Sequence, residues 1–296
     1  MTQGNPFFLL DVFAERKYAG NQLAVVRVKS PLPDGEMQQI ARETNFSETT
    51  FITSDREEGG GYPVRIFTPE REIPFAGHPV LGTAYVIQRE IIGRPVDSVV
   101  LSLKAGRIPV SLLHTERGIE RLTMRQGEPR FGQFIPHEGA AEVLQLEKNA
   151  LDCRFPVQEV STGLPFLIIP LKTLEAVRKA RVHEEKYRTL IETTEAKALF
   201  LFCPETYRNE NHLNARMFGG YYGIPEDPAT GSAAGCLAAY LLRHDYFGAP
   251  ALSLRMEQGY EIGRPSLLFL DAKRGEDTME IRVGGRVIEV ARGVLA

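Results

Sequence analysis

Two segments half a chain apart read alike, and this limits the fold more than any single motif does. RIFTPEREIPFAGHPVLGTAYVI begins at Arg65, and ARMFGGYYGIPEDPATGSAAGCLAAYLL begins at Ala215. Arg65, Phe67, Ile73 and Pro74 match Arg216, Phe218, Ile224 and Pro225 at an offset of 151. After a three-residue insertion, Gly77 matches Gly231 and Ala84 matches Ala238 at an offset of 154. Both offsets are close to half of the 296 residues, so the chain reads as two copies of one unit rather than as two unrelated domains.

The segments in front of these correspond too. GNQLAVVRV from Gly20 and TGLPFLIIPL from Thr162 are turns feeding apolar, β-branched runs. An amphipathic helical pattern follows each: residues 34–43, with Asp34 as N-cap and Met37, Ile40 and Ala41 on one face, and residues 183–195, with Tyr187, Leu190 and Ile191 inward. Strands are then predicted at 49–53 and 198–203. Elsewhere the pattern alternates. Strands at 99–103 and 108–113 flank Ala105-Gly106 as a hairpin, and 119–124 adds a third. Strands at 252–256, 266–270 and 279–290 repeat the theme, with Gly284-Gly285 as a two-residue turn. Residues 126–139, carrying Gly, Pro and charge, read as a linker before a short helix near 140–146. The expected fold is α+β: two pseudo-symmetric domains from an internal duplication, each a barrel-like, mostly antiparallel sheet around a central helix. The halves are placed at 1–125, which a C-terminal strand near 286–296 can complete, and at 126–285.

Composition narrows the function classes. With 35 basic and 38 acidic residues the net charge is -3, which argues against a broad nucleic-acid or anionic-membrane surface. The apolar runs FFLLDVF and FLIIPL fall well short of the ~18 residues of a spanning helix. The opening MTQGNPFFLLDVFAERK has no basic leader, so a cytoplasmic chain is expected. Cys153, Cys203 and Cys236 show no CxxC spacing and read as buried, inert thiols; the histidines form no metal motif. GxxxxGK[ST] and a strand-borne GxGxxG are both missing, so no nucleotide cofactor is implied.

The glycine loops carry the chemistry. Gly77-His78-Pro79 and Asp227-Pro228-Ala229-Thr230-Gly231-Ser232 each open a helix, so two helix N-termini at equivalent positions offer backbone N–H groups and a positive dipole end. Facing each other across a domain cleft, they would hold an anionic group, a carboxylate before a phosphate. The plainer alternative is capping, with Asp227 as N-cap and Pro228 at the first helical position. Glu48, in NFSETTF, has Ala198 as its counterpart at an offset of 150. A carboxylate in one copy only is a candidate acid/base; the alternatives are a solvated glutamate or a capping-box member after Asn45. At a helix start the dipole disfavours the imidazolium, so His78 is expected neutral. Asp227 could orient a substrate amine or hydroxyl. Ser232 lacks the setting of a nucleophile elbow.

FAERKYAGNQLAVV, NFSETTF, IPFAGHPVLGTA, STGLPF, EDPATGSAAG and EQGYEIGRPS together resemble, in order and over nearly the whole chain, the PhzF family of phenazine-biosynthesis-like isomerases. That family is similar in fold to diaminopimelate epimerase, with the active site in the cleft between two pseudo-symmetric halves. The resemblance implies that Glu48 is the general acid/base and that His78 and Asp227 contact the substrate and support proton transfer. It assigns Gly77 and Gly231-Ser232 to the loops that bind the substrate carboxylate or amine, and Asn21 to a loop lining the cleft. It also implies a homodimer, a small carboxylate-bearing substrate and no cofactor. The epimerases use one cysteine per half; here the loops read PFAGHP and DPATGS, and Cys236 lies about a turn into its helix. One-base isomerisation is therefore expected, with burial raising the pKa of Glu48. An amino-acid racemase or epimerase, and a non-catalytic ligand-binding member of the family, are the competing readings.

Overall fold

The computed structural model describes residues 4–295 apart from positions 117 and 277. It divides into one unit, made of the chain up to Met124 with the segment from Gly284 onward, and a second, Arg125–Val283.

In the first unit β1 (Asn5–Val12) pairs antiparallel with β2 (Asn21–Arg27). After α1 (Asp34–Thr44), β3 (Thr49–Ile52) returns parallel to β2, and β4 (Tyr62–Phe67) runs antiparallel to β3 with the two-residue β5 (Glu72–Ile73) on its edge. The helix α2 (Gly77–Ile87) follows, then β6 (Ser98–Leu103), parallel to β4, and the meander β7 (Gly106–Thr115) and β8 (Gly118–Arg125). The last strand of the chain, Val287–Leu295, pairs antiparallel with the other edge of β1. All eleven residues of α2 are buried, as befits a helix apolar on every face. Gly82 permits its close approach to the sheet, since a Cβ there would lie 2.4 Å from Leu23 Cδ2 and 3.1 Å from Val12 Cγ2. Under α1 a smaller core gathers Val26, Met37, Ala41, Phe51 and Phe67, the two rings meeting edge to face at 5.4 Å.

The second unit repeats this order. Its elements are β9 (Arg130–Ile135), α3 (His137–Val143), β10 (Val157–Ser161), β11 (Pro165–Pro170), α4 (Leu174–Lys179), α5 (Glu184–Glu192), β12 (Ala198–Cys203), β13 (Leu213–Gly219), β14 (Ile224–Asp227), α6 (Gly231–Arg243), β15 (Ala251–Gln258), β16 (Ser266–Arg274) and β17 (Met279–Gly285), whose last two residues, Gly284 and Gly285, already belong to the first unit. Val287–Leu295 is thus β18. β10 pairs antiparallel with β9 and β11; β11 is parallel to β12, β12 antiparallel to β13, and β13 parallel to β15 with β14 on its edge. Strand for strand, β10–β16 reproduce β1–β7, and β9 stands beside β10 as β18 stands beside β1.

Register corrects one part of the expected duplication. Arg65 forks onto Glu72 (Nε–Oε1 2.9 Å, Nη2–Oε2 2.8 Å), and Arg216 forks onto Glu226 at 2.8 and 2.7 Å. These glutamates differ by 154 positions, so the inserted residues fall between arginine and glutamate, in the three-residue turn Gly220–Tyr222. Ile73-Pro74 therefore answers to Asp227-Pro228, not to Ile224-Pro225. The placing of Glu48 opposite Ala198 holds, because Phe51 faces Arg65 across the ladder and Leu201 faces Arg216.

Four further expectations change. Asp34 is the first helical residue rather than the N-cap, which is Pro33, and its carboxylate accepts from Arg65 Nη1 at 2.6 Å. The region read as a linker contains β9, an edge strand whose exposed positions hide its pairing with β10. Gly284 and Gly285 are in β17, not in a turn, and neither has positive φ. Instead they allow close passage: a Cβ would lie 2.5 Å from Thr123 Oγ1 at Gly284 and 2.3 Å from Phe13 Cδ1 at Gly285. Of the cysteines, Cys203 and Cys236 are buried but Cys153 is exposed. Among the described residues no helix is long and apolar enough to cross a membrane, and no cluster of His, Cys, Asp or Glu could hold a metal ion.

Candidate active site

Glu48 owes its position to the end of α1. Asn45 caps that helix in the left-handed region (φ 52), its N–H donating to Ala41 O, so the chain reverses and enters β3 at Thr49. Asn45 thus closes a helix and does not open one, which removes the capping-box reading of Glu48. The next residue, Thr49, bonds Thr44 through their hydroxyls at 2.8 Å, and β3 is clamped between β2 and β4. Two residues on, Thr50 Oγ1 meets Thr83 Oγ1 of α2 at 2.8 Å in the core. This bond ties the strand that follows Glu48 to the helix that begins with Gly77 and His78.

The Glu48 side chain is 14% exposed, and its Oε2 lies 3.4 Å from Nε2 of His78, which is 7% exposed. Burial pushes the imidazole down to about 3, against a smaller opposing effect from a hydrogen bond with the backbone of Gln22. The ring is neutral at physiological pH, as its helix-start position led us to expect, but desolvation is the main cause. Gln22 adjoins Asn21, the buried first residue of β2.

In the second unit Asp227 ends β14 and is 5% exposed. The capping alternative does not describe it: α6 starts at Gly231 with Thr230 as N-cap. Thr230 turns its hydroxyl to Asp227 Oδ2 in a short hydrogen bond. Gln258, at the end of β15, completes the group. Its Oε1 accepts from Thr230 N at 3.1 Å, and its Nε2 donates to Asp227 O at 2.9 Å and to Thr230 Oγ1 at 3.0 Å. Gly259 makes this approach possible. It has φ +78, and a Cβ there would lie 2.5 Å from both Pro228 O and Arg264 O. Gly231 is buried and Ser232 half-buried at the start of α6. Neither α2 nor α6 has a side-chain N-cap bond, so their first-turn N–H groups keep their donor character.

Glu48 is thus joined to His78, and Asp227 to Thr230 and Gln258. Cys236, the one thiol near a glycine loop, is pushed up to about 11 by burial and lies against Thr162 and Leu164. A thiol so buried is a poor base at neutral pH. Two surface hollows, of about 370 Å³ beside Glu116 and Arg286 and about 500 Å³ between α3 and α5, contain none of these groups.

Residues 10–293 match the family model for phenazine biosynthesis-like proteins. The chain belongs to the PhzF family. It is 35% identical over 294 residues, 98% of each sequence, to the trans-2,3-dihydro-3-hydroxyanthranilate isomerase of Pseudomonas fluorescens. A PhzF-family protein from Bacillus anthracis has the same fold at TM-score 0.90 and 28% identity, with 100% of both chains covered. A probable proline racemase from Agrobacterium radiobacter superposes at TM-score 0.63 and 11% identity over 99% of this chain and 93% of its own, a likeness of fold alone. The protein is accordingly a PhzF-type isomerase with the diaminopimelate epimerase-like fold.

Sequence reasoning passed over Thr230 and Gln258. Gln258 lies inside the PhzF-like motif EQGYEIGRPS, and the glycine after it was the available signal. The neighbouring Glu257, fully buried, accepts from Tyr207 N, Arg208 N and Asn211 Nδ2 at 2.7–2.9 Å and so fixes the loop beside it.

Proposed function

We propose that the protein moves a proton within a small carboxylate-bearing substrate, taking it from one carbon and returning it to another, with Glu48 as the single acid/base. The observation that carries this reading is the buried pair of Glu48 and neutral His78, 3.4 Å apart. With Nε2 turned to Glu48, Nδ1 is left to donate to the Gln22 carbonyl, and Nε2 presents a lone pair. A lone pair and an ionised carboxylate oxygen repel, whereas one proton between them serves both. The pair therefore offers a place where a proton taken from substrate is kept from water until it is returned. The first-turn N–H groups of α2, at Gly77, and of α6, at Gly231 and Ser232, are donors for the substrate carboxylate and for the charge that develops as the proton leaves.

Asp227 is the acceptor for a substrate amine or hydroxyl, Asn21 lines the same site, and residues of both halves act on one substrate in an inter-domain cleft. The relative's name supports a dihydroaromatic acid, in which unsaturation acidifies the C–H that is broken. Every step is a proton transfer and draws on no cofactor. A homodimer in the cytoplasm is the accompanying expectation.

The test is incubation with trans-2,3-dihydro-3-hydroxyanthranilate in D2O, followed by proton NMR. We expect relocation of one hydrogen, and a fall in kcat of about 10²–10⁴-fold in Glu48→Gln. Unchanged turnover in that variant would refute the role of Glu48. Deuterium uptake at a single carbon with inversion would point to a racemase.

A further inference from the structure

The hydrogen bonds around Asp227 have a fixed direction. Backbone groups cannot change roles, so Thr230 N–H must face an acceptor and Asp227 O must face a donor. Gln258 meets both, which settles its amide orientation: Oε1 toward Thr230 N, Nε2 toward Asp227 O. Nε2 also reaches Thr230 Oγ1 at 3.0 Å, and because Nε2 can only donate, the hydroxyl accepts there. The proton of Thr230 is then committed to its other neighbour, Asp227 Oδ2. Gln258 and Asp227 are both buried, so water does not compete freely for these positions.

We propose that Gln258 and Thr230 are positioning residues, forming a one-way hydrogen-bond relay that holds Asp227 Oδ2 as an acceptor and so keeps the carboxylate in its ionised form for the reaction. The relay deepens the functional reading above, because its use in turnover rests on Asp227 meeting the substrate. Glu257 stands beside Gln258 in the chain but turns its carboxylate to the 207–211 loop, so the relay contains a single ionisable group. The register found for the duplication agrees: the position equivalent to Asp227 is Ile73, so the relay belongs to one copy only.

The experiment reads the carboxyl group directly, without reference to any reaction. The protein is labelled with aspartate carrying ¹³C at the carboxyl, the Asp227 resonance is assigned with Asp227→Asn, and its titration is followed in wild type, Thr230→Val, Thr230→Ser and Gln258→Leu. A hydrogen bond to a charged acceptor holds the carboxylate form, so Thr230→Val should raise the pH at which Asp227 takes up its proton by about 1–2 units. Thr230→Ser should restore the wild-type midpoint. Gln258→Leu should give a smaller rise, and in the double variant it should add nothing to Thr230→Val, since it acts through the hydroxyl. Where Thr230→Val does not fold, Thr230→Ala removes the same hydroxyl. An unmoved midpoint in the hydroxyl-free variant, or an equal rise in Thr230→Ser, overturns the relay. The acid limb of the turnover profile should follow the NMR midpoint; a moved midpoint with an unmoved limb would leave the relay standing and refute the role of Asp227 in turnover.

Discussion

The hydroxyl pair Thr50–Thr83 makes a prediction whose size follows from burial. Both residues are fully buried, and their oxygens meet at 2.8 Å between β3 and α2. Valine has nearly the shape of threonine, so replacing either residue leaves packing almost unchanged and strands the other hydroxyl away from water. A stranded buried hydroxyl costs about 1–3 kcal/mol, whereas replacing both partners by apolar groups of the same shape is nearly neutral. The two single changes are not equivalent. In Thr50→Val the remaining Thr83 hydroxyl can turn back to a carbonyl of its own helix, so this variant belongs at about 1–2 kcal/mol. In Thr83→Val the remaining Thr50 hydroxyl sits in a strand whose neighbouring carbonyls serve the ladder, so the cost is about 2–3 kcal/mol. The double variant should lose less than about 1 kcal/mol. Urea denaturation of all four proteins closes the cycle, and calorimetry should show Tm falling by about 2–4 °C per kcal/mol. Turnover provides a second readout, since β3 begins directly after Glu48. A double variant whose loss equals the sum of the singles would show that the hydroxyls do not interact and that the link from β3 to α2 lies elsewhere.

Two other outcomes follow from the geometry. Burial holds His78 near 3 when folded, below the ordinary histidine value of 6.5, so the unfolded chain binds more protons between those limits. Stability from this residue is present above about pH 6.5 and is lost as pH falls toward 3, with a slope of up to about 1.4 kcal/mol per pH unit. Stability curves of His78→Gln should be flatter than wild type by that amount across the window; parallel curves would contradict a neutral buried ring. Gly259→Ala must place a Cβ against two backbone oxygens at positive φ, while Gly59→Ala, also at positive φ, meets nothing within 4 Å. The first should cost well over the ~1–2 kcal/mol of the conformation alone and depress turnover through Gln258, and the second should stay within that range and leave turnover intact; equal losses in thermal melts would remove the packing argument.

How far the sequence disclosed this arrangement depended on what each residue was doing. The strand Ala198–Cys203 was legible to the residue, because a short unbroken apolar run can be little else once helices are excluded by length. Glu48 and His78 were legible as individuals, one through its absence from the second copy and the other through its helix start. The Ile-Pro identities at 73 and 224 were misleading: identical residues suggested an alignment that the arginine–glutamate forks displace by three positions. Adjacent glycines at 284 and 285 carry the same signature whether they turn a chain or let it pass close to another. β9 was hidden because an edge strand with mostly exposed side chains shows neither alternation nor a continuous apolar run. Thr230 and Gln258 are 28 positions apart, and only the fold reveals that they share one hydrogen-bonded group.

The places of β9 and β18 bear on synthesis. β9 leaves the ribosome before β10 and can receive it at once, so the second unit grows by adding neighbours in nearly sequential order. β1 emerges first and waits for β18, its partner from the opposite end of the chain. Until then one edge of β1 offers unpaired N–H and C=O groups to any passing strand. Nascent chains arrested before residue 287 should therefore be the most prone to associate, and a holdase that covers extended apolar segments would find FFLLDV its most persistent target.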